Sequence, residues 1–224
     1  VLFAVDGHFY KGKTHHHLDK IKQLINAIPS IEHTIIYNYV NDTPHITPLP
    51  NAVLFSQILK HHDATLTFEP LAFDHPLYIL YSSGTTGKPK CLMHGAGNTL
   101  IQHLKELILH CDIQPNDRLL FYTSCGWMMW NWMLSALAAN ATIVLYDGSP
   151  LHPKPDILFD LIDRAQVTHF GCGAQYIESI EKLHIKPIET HSLQSLRCIL
   201  TTASPLLPKS FDYVYQAIKQ DVCL

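Results

Sequence analysis

Apolar positions in this chain fall into two kinds of run. Short, often β-branched runs at residues 1–5, 33–40, 77–80, 118–123, 142–146, 167–172 and 197–202 read as strands. The run at 77–80 reads as a buried strand closing at Tyr81. Between them, apolar residues recur every three or four positions. Leu18, Ile21, Leu24, Ile25 and Ile28 predict an amphipathic helix ending before Pro29. Leu54, Ile58 and Leu59 predict a short helix over 53–62. Leu100, Leu104, Leu107, Ile108 and Cys111 mark another, for which Thr99 and Gln102 suit a capping box. Residues 132–139 are apolar all round, which predicts a buried helix. Asp156 is placed to cap a helix to Gln166, with Leu158, Leu161, Ile162 and Ala165 inward. Further helices are expected around 175–183 and 211–219, whereas Pro44, Pro48 and Pro50 make 41–50 a loop. Strands alternating with helices predict an α/β fold of mostly parallel sheets with helices on both faces.

Composition narrows the class. Of 224 residues, 47% are hydrophobic and 16% charged, which describes a globular chain with a sizeable core. A net charge of −3 gives no reason to expect nucleic acid or an anionic membrane as partner. No apolar run approaches the ~20 residues that span a bilayer, and no signal peptide is visible. The six cysteines show no metal-ligand spacing and most lie beside apolar positions, so free buried thiols and a reducing, cytoplasmic setting are expected. His15, His16 and His17 are consecutive, and on a helix they would diverge rather than converge on a metal. No metal site is assigned.

One stretch carries chemistry. After the strand ending at Tyr81 comes Ser82-Ser83-Gly84-Thr85-Thr86-Gly87-Lys88-Pro89-Lys90. Glycines let backbone N–H groups approach an anion, hydroxyls add donors without bulk, and Lys90 adds a mobile charge. The loop is suited to a polyphosphate. It is not a Walker A loop, because only two residues separate Gly84 from Gly87 and Pro89 keeps Lys88 from leading into a helix. Ligands of open α/β sheets bind beyond the carboxyl ends of strands. The loop, residues 124–131 and residues 201–206 all follow such ends.

The loop resembles the phosphate-binding signature of the adenylate-forming enzymes, which include acyl-CoA synthetases, luciferases and peptide-synthetase adenylation domains. Phe73-Asp74-His75-Pro76-Leu77, Gly126-Trp127-Met128-Met129-Trp130-Asn131 and Tyr146-Asp147-Gly148-Ser149-Pro150 extend the likeness, closest to members that activate a short β-keto acid. The resemblance implies ATP, CoA and Mg²⁺ as cofactors, without an assignable Mg²⁺ ligand, and small-molecule substrates as the only partners. It implies phosphate contacts from Ser82, Ser83, Gly84, Thr85, Thr86, Gly87 and Lys90, with Lys90 and Thr85 catalytic. Thr202, Ala203, Ser204 and Pro205 would close over the nucleotide, and Trp127, Met128, Met129 and Asn131 would line the acyl pocket. An acetate or propionate enzyme is the alternative acid choice; a catalytically inert ATP-binding fragment is the other reading. The chain starts at Val1 without methionine and stops at Leu224. It is therefore expected to be part (1–224) of the family's large N-terminal domain, without the C-terminal domain and inactive by itself.

Overall fold

The computed structural model describes residues 1–59, 65–82 and 87–224. The chain divides into two compact units, residues 1–68 with 147–153, and residues 69–146 with 154–224.

In the first unit, β1 (Leu2–Val5), β4 (Thr34–Tyr37) and β5 (Ala52–Leu54) form a parallel sheet ordered β1-β4-β5. The hairpin β2 (Gly7–Tyr10) and β3 (Lys13–His16) precedes α1 (Leu18–Ala27), and α2 (Phe55–Ile58) follows β5. Ile21 and Ile25, one helical turn apart, join Ile36 and Leu49 in this unit's core. Asp6 ties the unit together. Its buried carboxylate accepts hydrogen bonds from the backbone N–H groups of Tyr39, Val40 and Asn41 at 2.7, 3.0 and 2.9 Å. The helix expected over 53–62 is replaced by β5 and the single turn of α2, because Ala52 to Leu54 pair with β4. Residues 60–62 of that expectation lie outside the described residues. The histidine run is also corrected. His15 and His16 lie on β3, so His15 and His17 both reach His8, with ring centroids 4.8 and 4.9 Å away. Among the described residues no cluster of His, Cys, Asp or Glu is arranged to hold a metal.

In the second unit, β8 (Arg118–Phe121), β9 (Thr142–Val144), β10 (His169–Gly173) and β11 (Cys198–Thr202) form a parallel sheet ordered β11-β10-β8-β9. The antiparallel hairpin of β6 (Pro76–Ser82) and β7 (Lys90–Gly95) stands as a separate two-stranded sheet. Helices α3 (Ala96–Leu104), α4 (Met128–Leu134), α5 (Ile157–Ala165), α6 (Ala174–Lys182), α7 (Pro187–Thr190) and α8 (Pro208–Tyr213) complete it. A π-helical stretch, Lys105–His110, prolongs α3, and a 3-10 stretch, Ser135–Ala139, prolongs α4. The mostly parallel α/β fold read from the chain is the fold observed. Successive residues of β10 point to opposite faces, and His169, Phe170, Gly171 and Cys172 are all buried, so both faces of this strand are covered. Gly171 permits that cover. A Cβ there would lie 2.0 Å from the Phe121 ring on β8.

Several expectations are corrected. Strand β6 is half exposed rather than buried, with Leu77, Ile79 and Tyr81 50, 57 and 71% exposed on one face of the hairpin. Helix α3 begins at Ala96 with Gly95 at its N-cap, so Thr99 and Gln102 form no capping box. His94, just before it, belongs to β7. Asp156 occupies the N-cap of α5 but caps through its carbonyl oxygen, which accepts from Phe159 N, and not through its carboxylate. The 132–139 segment is one-sided, with Leu137 exposed. All six cysteines are free, yet only Cys172 and Cys198 are buried.

His169 shows what burial does to a titrating group. Its Nε2 lies 2.9 Å from the Cys111 carbonyl oxygen, which can only accept, so Nε2 carries the hydrogen. Burial lowers its pKa from the ordinary 6.5, although the Asp117 carboxylate 3.9 Å from Nδ1 pulls the other way. The unfolded chain therefore takes up a proton that the folded chain resists. The stability contributed by the neutral ring is complete above about pH 6.5 and is lost as pH falls below it. The urea midpoint is expected to drop between pH 7.5 and 5.5, and to drop less in His169→Gln; an equal drop in both removes His169 as the cause.

Candidate functional site

The phosphate-loop segment is held at both ends by one hairpin. Ser82, the last residue of β6, pairs with Lys90, the first residue of β7. The loop therefore returns into an antiparallel strand instead of opening a helix. Ser83, Gly84, Thr85 and Thr86 lie outside the described residues. Beyond them, Gly87 has no atom within 4 Å of the position a Cβ would take, and Lys90 is exposed. Both leave room for a large anion beside a cationic side chain.

The other two segments leave from one edge of the four-stranded sheet. Phe121 on β8 is level with Gly171 on β10, and Gly173 is level with Thr202 on β11. Residues 122–131 and 203–205 therefore both start at the carboxyl ends of parallel strands. After Thr202 the backbone turns through Ala203 at φ 75°, a left-handed conformation that strains a residue with a side chain. Ser204 and Pro205 follow, both exposed.

Trp127 forms the N-cap of α4 and is 71% exposed. Met129 and Trp130 pack on the core around Leu107, Phe121 and Trp132. Met128 and Asn131 instead reach a cavity of about 480 Å³ in the second unit. The α4 segment is thus split, with Met129 on the core side and Met128 and Asn131 on the cavity side. The cavity's opposite walls are Tyr78 and Leu80 of β6 with Met93 and His94 of β7, the same strands that carry the phosphate loop. Leu80 precedes Ser82, the last residue of β6, by two residues, roughly 7 Å of strand.

The third wall is α3 with its π-helical continuation, and its polar residues were not read from the sequence as part of a site. Asn98, Gln102 and Glu106 follow one another at spacings of four, with Thr99 and His103 beside them. That stripe is legible once a helix is drawn, but attention to apolar positions alone passes over it. Glu106 is fixed at both oxygens. Gln102 Nε2 donates to Oε1 at 2.7 Å, and the buried Trp132 indole donates to Oε2 at 3.0 Å. His103 Nδ1 is 2.9 Å from Ser135 Oγ, whose hydroxyl donates to the Asn131 carbonyl at 3.3 Å. A hydroxyl has one hydrogen, so His103 Nδ1–H donates to Ser135. Burial pushes the His103 pKa down, with Glu106 opposing and His94 assisting. Among the described residues the Asn131 side-chain amide has no hydrogen-bond partner. The arrangement is a cavity with one hydrogen-bonded carboxylate, a neutral imidazole and a free amide, walled on one side by the two strands that flank the loop.

The chain is similar to known proteins along its whole length. The family model for AMP-binding enzymes matches residues 3–223. All of the chain aligns at 48% identity with acetoacetyl-CoA synthetase from Gallus gallus, and at 40% with malonamoyl-CoA synthetase from Penicillium aethiopicum. The solved structure of acetoacetyl-CoA synthetase from Streptomyces lividans superposes with a TM-score of 0.90 at 38% identity, over 99% of this chain and 34% of that one. The chain spans about a third (34%) of the length of the curated relatives it matches. It belongs to the family of AMP-binding enzymes.

Proposed function

We propose that the full-length protein is an ATP-dependent acid–thiol ligase that activates acetoacetate. The observation carrying this reading is 48% identity to an acetoacetyl-CoA synthetase over the whole of this chain. A carboxylate oxygen of the acid attacks the α-phosphorus of ATP, forming the acyl-adenylate as the bond to pyrophosphate breaks. The CoA thiol, losing its proton, then attacks the acyl carbon and displaces AMP. Ser82, the glycines and hydroxyls of 83–87 and Lys90 hold the phosphates. Charge grows on the departing pyrophosphate, where preorganised donors and the Lys90 ammonium lower the barrier most. Thr202, Ala203, Ser204 and Pro205 lie against the nucleotide, and Met128 and Asn131 border the acyl group. Mg²⁺ would arrive on the nucleotide phosphates, since the described side chains offer no cluster to hold it. It would supply charge neutralisation there.

The acyl groups of the two kinds of relative, acetoacetyl and malonamoyl, each carry a carbonyl at C3 and an uncharged far end. The cavity beside the loop is large enough for such an acid, and the Asn131 amide offers a donor to its C3 carbonyl. Within this reading, residues 1–224 form the middle of the N-terminal adenylation domain, and the protein is cytoplasmic, in keeping with its free cysteines. No helix among the described residues is long and apolar enough to cross a membrane. Acid-dependent pyrophosphate release from ATP and CoA tests the proposal. Acetoacetate should be the preferred acid of the full-length protein; preference for acetate or propionate would reassign the substrate, and silence with all three would refute the reading.

A further inference from the structure

We infer that Glu106 selects acids by charge, turning the carboxylate of a bound acid toward the phosphate loop and barring acids with a second negative charge at the far end. This rests on the reading of the protein as an acid-activating ligase. Glu106 lines the cavity shared by the loop-bearing hairpin, α3 and α4. Its two oxygens accept hydrogen bonds from Gln102 and Trp132, which set the orientation of the carboxylate. No lysine or arginine lines the cavity among the described residues. The titrating neighbours there are His103 and His94, and burial favours the neutral form of His103. The cavity wall at Glu106 is therefore negative, while Lys90, paired with Ser82 on the same face of the hairpin as Tyr78 and Leu80, puts a positive charge on the loop side beyond the lining. A monocarboxylate placed in that field has one favourable orientation, its charged end outward to the reacting phosphate. Neutral polar far ends meet the Asn131 amide instead.

Two like charges about 6 Å apart at a protein surface repel enough to weaken binding by about 10²-fold. Malonate and its half-amide, malonamate, have nearly the same shape and differ in that one charge. The test is kcat/KM for pyrophosphate release by the full-length protein at pH 8, with acetoacetate, malonamate and malonate. The wild type should favour malonamate over malonate by about 10²-fold, and Glu106→Gln should narrow the ratio to below about tenfold, mainly through the KM for malonate. Glutamine at 106 keeps both contacts if Gln102 turns its amide over. Should that variant fail to fold, Asn98→Lys, on the exposed start of the same stripe, brings a cation to the cavity and should raise malonate use about tenfold. A wild type that treats the isosteric pair alike overturns the inference, as does a folded Glu106→Gln or Asn98→Lys with an unchanged ratio. A wild type that activates none of the acids overturns the ligase reading and this inference with it.

Discussion

Alanine at position 90 is expected to slow pyrophosphate release by the full-length protein about 10²–10³-fold, with most of the loss in kcat. Lys90 opens β7 opposite Ser82, so its backbone is fixed by strand pairing while its exposed side chain is free to follow the phosphates. That placement matters because the transition state concentrates charge on the leaving group. An interaction stronger there than in the ground state lowers kcat when removed, whereas uniform binding would raise KM alone. Arginine should restore only part of the rate, since its planar fork cannot replace a compact ammonium point for point. Single-turnover measurement of adenylate formation separates this step from thioester formation. An unchanged rate in Lys90→Ala would remove the residue from the mechanism.

The second large effect concerns Trp132. Its ring is 5% exposed and meets Phe121 edge to face, with centroids 6.0 Å apart, while its Nε1–H holds Glu106. Trp132→Ala empties a core site and is expected to lower stability by about 3–5 kcal/mol. Trp132→Phe keeps most of the packing and loses the hydrogen bond to a charged acceptor, at about 1.5–3 kcal/mol. Denaturant unfolding of the two variants should preserve that order. Phenylalanine as damaging as alanine would show that the bond to Glu106, and not the ring, carries the site.

How much of this was legible in the chain depends on the range of the interactions involved. Helix α1 was plain because Leu18, Ile21 and Ile25 declare one face within eight residues. Strands β10 and β11 were plain because burial on both faces favours short runs made mostly of apolar, small or β-branched residues. Strand β7 was missed. Lys90-Cys91-Leu92-Met93-His94-Gly95 holds no β-branched residue, and its extended form comes from pairing with β6 across the loop, a partner that local pattern does not reveal. The same pairing accounts for the late start expected for α3, since Gly95 is both the end of the strand and the cap of the helix. At the candidate site, the loop announced itself through residue types whose backbone freedom and donors suit phosphate. The cavity did not. It exists because the α3 stripe, the hairpin and α4 meet in space, and the division of the α4 segment into Met129 on the core and Met128 with Asn131 on the cavity depends on the helix's rotation.

The chain's three tryptophans, Trp127, Trp130 and Trp132, fall within six residues at the start of α4, and they span a full range of exposure. Excited at wavelengths that tyrosine does not absorb, the fluorescence of these 224 residues is consequently a local signal. Trp127 emits from water, Trp132 from the core beside a carboxylate, and no tryptophan outside residues 127–132 adds to either. Trp132 lines the cavity, so part of that light reports directly on the cavity's own wall.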